Sequence, residues 1–100
     1  HLQYIEGGAT LDHTKFAQGY NEVGQLIARN LATGKFEPFS EVEGYDNFAV
    51  LDEDFVNDAG QDLIVGQVIV RGSVYEDKLP QEVPAEFKQA NPMIRFVKHV

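Results

Sequence analysis

One hundred residues of 11.2 kDa carry a formal charge of −8 and no cysteine, which limits the chain to one domain and excludes a disulfide framework or a thiolate metal site. A hydrophobic fraction of 43% with 7 Phe and 4 Tyr is too high for a disordered chain, and no apolar run approaches the roughly 20 residues of a membrane helix. The acidic excess speaks against nucleic acid as a partner, because phosphate binding draws on Lys and Arg. A core this small has a thin stability margin, so oligomerisation is an expected source of the remainder.

Residues 1–22 hold neither a helical nor a strand period for long. Leu2, Tyr4 and Ile5 alternate with Gln3 and Glu6 as a short strand would, and Gly7-Gly8 reads as a flexible joint behind them. This segment is read as an extended N-terminal arm that adds a strand to a partner, and residues 23–100 as the body. His1 in place of methionine is read as an added residue or as a boundary within a longer chain.

Within the body, Gly24–Asn30 predicts a strand and Lys35–Phe39 its hairpin partner, with Gly34 supplying the positive φ of the turn. Pro38 marks an edge strand, since it cannot donate to a ladder. Asn47–Asp52 predicts a third strand and residues 57–62 a turn. Leu63–Tyr75 is the longest strand signal, with Gly66 and Gly72 as bends. Pro84–Asn91 is the one helix, opened by proline and stopped before Pro92, and Met93–Val100 reads as a closing strand. The fold class is therefore mainly β, or α+β, with one short helix.

Charge is unevenly placed. Residues 37–62 contain nine acids and no Lys or Arg, whereas residues 71–100 contain five basic residues against four acids. The chain is expected to have an acidic side, either a solvated face or an electrostatic surface for a basic partner.

The search for chemistry returns little. His1, His13 and His99 lack metal-ligand spacing, so no metal or cofactor is expected. Asp52, Glu53 and Asp54 lack the glycine and spaced oxygens of a calcium loop and read as a solvated acidic turn. There is no G-x-S-x-G elbow, no thiol, and no lysine after Gly7-Gly8 to make a phosphate loop. Catalytic residues are therefore not assigned. Ala59-Gly-Gln-Asp-Leu63 resembles the first motif of the trimeric dUTPases, but that family's remaining motifs are absent.

Four stretches in order carry a wider resemblance: the strand Gly24–Asn30, then Ala32-Thr-Gly-Lys-Phe36, then Ala49-Val-Leu-Asp-Glu-Asp54, then Val68-Ile-Val-Arg-Gly-Ser-Val74 with Lys78-Leu79 and the helix behind it. Together they resemble the head decoration proteins of tailed bacteriophages, the family of the lambda capsid-stabilising protein, over residues 23–100. One departure is Phe48-Ala-Val-Leu51, where that family has Gly-Ile-Leu. The resemblance implies a β-clip-like domain that binds the major capsid protein as a homotrimer on the outer surface of the expanded head. It implies no catalysis, membrane, nucleic acid or small-molecule ligand. Leu2, Tyr4 and Ile5 are then the expected capsid-binding residues of the arm. Two alternatives stand beside it: a small dUTPase-like nucleotide hydrolase, and a phage neck or tail ring component.

Overall fold

The computed structural model describes residues 2–58 and 60–97. Ten short strands run in chain order: β1 (Gln3–Tyr4), β2 (Ala9–Leu11), β3 (Gly19–Asn21), β4 (Leu26–Asn30), β5 (Phe36–Pro38), β6 (Tyr45–Leu51), β7 (Phe55–Asn57), β8 (Leu63–Val65), β9 (Val68–Tyr75) and β10 (Ile94–Val97). A single 3-10 turn at Glu76–Lys78 and one helix, α1 (Ala85–Ala90), lie between β9 and β10. Eight strands form one sheet in the order β1-β9-β6-β4-β5-β2-β8, with β10 parallel on β9, while β3 and β7 form a separate antiparallel ribbon. The fold is thus mainly β with one short helix.

The central strands explain the layering. In β4, Leu26 and Ala28 face one cluster and Ile27 the other; in β6, Phe48 and Val50 face the first, and Ala49 and Leu51 the second. Strands buried on both faces need two covers. Val83 and Phe87, from α1 and the segment before it, together with Ile94 of β10, supply one. Phe87 is fully buried there, with Phe39, Phe48 and Phe96 set edge-to-face around it at centroid distances of 5.0, 6.0 and 6.0 Å.

The other cover is the N-terminal segment, which corrects the expectation of a free arm. Ala9, Leu11 and Phe16 are buried in the second cluster, and Ile5 packs against it. β2 lies within the sheet, antiparallel to β8 and touching β5 at Leu11 and Phe36. Gly7 and Gly8 form a tight turn, not a loose joint: their φ angles are +77° and +79°, and a Cβ on Gly8 would stand 3.1 Å from the Val65 carbonyl oxygen.

The body follows expectation closely, with four refinements. Phe55–Asn57 forms β7, so Asn57 ends a strand where a turn was expected to begin. The run 63–75 divides at Gly66-Gln67 into β8 and β9, which lie at different places in the sheet. β5 is an interior strand, yet Pro38 fits: the Phe39 N–H donates to Leu26 O, so the Pro38 nitrogen faces away from β4, past the point where β2 pairing ends. The expected closing strand spans Ile94–Val97, and its last three positions lie outside the described residues. Gly34 has the φ of +76° that the hairpin turn requires.

Candidate interaction surfaces

Leu2, Tyr4 and Ile5 are brought to the sheet, and they separate there. β1 runs antiparallel to β9, with Gln3 opposite Arg71 and Tyr4 opposite Ile69, and the Ile5 N–H donates to Val68 O at 2.9 Å. Ile5 is a core-packing residue, whereas Leu2 and Tyr4 keep exposed surface. The Tyr4 hydroxyl donates to Asp52 Oδ2 at 2.7 Å. In this chain the strand-adding capacity of residues 3–4 is met by the chain's own β9.

The acidic stretch resolves residue by residue. Asp46 takes a two-pronged hydrogen bond from Arg29 at 2.7 and 2.6 Å. Glu37 is buried and accepts from the Tyr45 hydroxyl and the Asn30 amide. In the turn after β6 each acid has its own partner: Asp52 accepts from Tyr4, Glu53 from the Gln67 N–H, and Asp54 from the Tyr20 hydroxyl at 3.0 Å. Of the nine acids, only Asp46 and Asp62 meet a cation among the described residues. The other seven meet no cation among the described residues.

Asp62 belongs to the densest polar cluster. Its Oδ2 meets Lys35 Nζ at 2.6 Å, and its Oδ1 accepts from the His13 backbone N–H and pairs with His13 Nδ1. These contacts, Lys35 first, hold its carboxyl well below the usual carboxylate range. Asp12, alongside, is also lowered, mainly by the Thr14 hydroxyl on its Oδ1. Asp12, His13 and Asp62 bring potential metal-ligand atoms within 4.8 Å of one another. The donor types suit a cation, but the Lys35 ammonium already supplies one, and Asp12 Oδ1 is committed to Thr14. Nor does the His13–Asp62 pair activate a nucleophile, since the nearby Thr14 hydroxyl donates to Asp12. The cluster ties the turn after β2, the β4–β5 hairpin and the loop before β8 together, which clamps the N-terminal cover in place. His13 and Asp62 are 49 residues apart in sequence, so spacing alone does not reveal the cluster.

Two surfaces remain open. The β3–β7 ribbon turns Asn21, Phe55 and Asn57 inward, and the buried Asn57 amide donates to the carbonyls of His13, Phe16 and Ala17. Its outer face presents the cross-strand pair Tyr20 and Val56, 63% and 65% exposed. The second surface is a groove of about 600 Å³ beside the β1–β9–β10 junction, lined by Leu2, Gln3, Arg71, Ser73, Met93 and Arg95. Arg71 and Ser73 alternate outward along β9, and Arg95 stands next to Ser73 on β10. That alternation was readable in Val70–Val74; the ribbon pairing was not, because three-residue strands carry no period.

No family model matches the chain, and neither a curated protein nor a solved structure matches it.

Proposed function

We propose that this chain is a structural protein of a tailed-phage virion, which binds the outside of the expanded head as homotrimers at its three-fold positions. There it holds neighbouring major capsid proteins together against the pressure of packaged DNA. The observation that supports this reading is where the resembling stretches fall. Residues 24–30, 32–36, 49–54 and 68–74 span β4, the β4–β5 turn, the end of β6 with the acidic turn after it, and most of β9, and the strands β9, β6, β4 and β5 are consecutive neighbours in the sheet. Weak likenesses scattered by chance have no reason to assemble into one continuous patch. The departure at Phe48 is absorbed by packing, since its ring lies against Phe39 and Phe87.

A part that binds the assembled shell and not its dissociated subunits stabilises the shell by mass action. Many copies acting together make a modest contact large per particle. The exposed acids of residues 37–62 that meet no cation among the described residues suit a surface kept away from the DNA inside. The role asks for shape and contact surface, with no reacting group. DNA-filled heads carrying the protein are expected to release their DNA at a higher temperature than bare heads. Release at the same temperature would remove the reading's main support. For the dUTPase-like alternative the check is melting in the presence of dUTP and magnesium, which is expected to leave the transition unmoved.

A further inference from the structure

The two open surfaces carry opposite charge, each around exposed apolar side chains. On the ribbon, Tyr20 and Val56 are rimmed by the exposed acids Asp54 and Glu22, and the Tyr20 hydroxyl is raised first by its hydrogen bond to Asp54, with the charges of both acids adding to it. In the groove, Arg71 and Arg95 flank the half-exposed Met93 and Leu2, and neither arginine has an ion-pair partner among the described residues. Arg and Tyr are the side chains that most often anchor protein contacts. We infer that these surfaces meet between copies of this chain, the Tyr20–Val56 face of one copy seating in the Arg71–Arg95 groove of the next.

The occupant follows from charge. A basic shell segment would satisfy the ribbon alone, and an acidic one the groove alone, whereas a second copy satisfies both at once. Pairing like surfaces would set acid against acid or arginine against arginine, which is costly, so each ribbon meets a groove. Such ribbon-to-groove contacts close as a two-fold pair in which the contact is made twice, close as a larger ring, or run on as a filament. That the copies number three rests on the decoration reading.

The test is sedimentation equilibrium of the full chain and of two charge reversals at exposed positions, Asp54→Lys and Arg95→Glu. The unaltered chain is expected to associate, less so as salt rises, and each variant alone to associate about tenfold more weakly or worse. An equimolar mixture of the two variants restores association, because each supplies the surface the other lacks; this rescue also shows that both are folded. A chain that stays monomeric up to about 1 mM, or that associates equally well in both variants, overturns the inference. Head binding is scored on the same proteins. Association without head binding would sink the decoration reading and leave the interface standing. If Arg95→Glu loses head binding while its mass is unchanged, the groove belongs to the shell subunit and the inference fails.

Discussion

Asp62 shows how few side chains hold the N-terminal cover to the sheet. It accepts from Lys35 and His13, Asp46 from Arg29, and Asp12 from Thr14, and all three carboxyls are lowered by these bonds. A lowered native pKa means stabilisation that is complete above the ordinary carboxylate value of about 4 and is lost as pH falls below it. The hydroxyls of Tyr4, Tyr20 and Tyr45 are raised by donating to Asp52, Asp54 and Glu37. Their contribution is complete below about pH 10 and is lost as pH rises beyond it. Urea midpoints measured across pH are therefore expected to fall on the acid side only below about pH 4 and on the alkaline side only above about pH 10. A maximum centred on the sequence pI of 4.6 would contradict this assignment. Asn57 makes the second test at this scale. Its amide bridges three carbonyls of the N-terminal segment from a fully buried position. Asn57→Ala is expected to cost roughly 1–3 kcal/mol in denaturant unfolding, because buried carbonyls lose their donor.

Among the elements, legibility followed the length of the pattern. The hairpin was readable because Gly34 sits between two apolar runs, and α1 because Pro84 and Pro92 bracket it. β6 and β9 were readable from Phe48–Leu51 and from the β-branched run through Val74. The N-terminal segment was misread because, beyond the strand-like piece that became β1, β2 and β3 have three residues each, too short for a period of two to register. A clue to its role lay elsewhere in the chain. Leu26-Ile-Ala28, Phe48–Leu51 and Val68-Ile69 are apolar without alternation, the pattern of strands buried on both faces. One short helix cannot cover two faces, so a second cover was required, and Ala9, Leu11 and Phe16 are its apolar positions. Taking away residues 2–5 is accordingly expected to lower stability by roughly 1–3 kcal/mol through loss of the Ile5 packing. An unchanged unfolding midpoint would mean that β1 contributes nothing to the fold. The polar cluster around Asp62 had no sequence signal of any kind, since its residues converge only once β2, β8 and the hairpin are in place.

For the molecule as a whole, charge and core size point the same way. Among the described residues, 37–62 gather negative charge that largely meets no cation, and Arg71 and Arg95 have no ion-pair partner beside an open groove. On the proposed reading, a small domain with two complementary charged surfaces would gain stability by assembly, and binding to a closed shell would multiply that gain by the number of copies. The most direct measurement is imaging of expanded, undecorated phage heads after mixing with the purified chain. Added density at the three-fold positions, with three copies of this fold in each, is the result expected. Heads that stay bare, or copies gathered at two-fold or six-fold positions, would contradict the decoration reading.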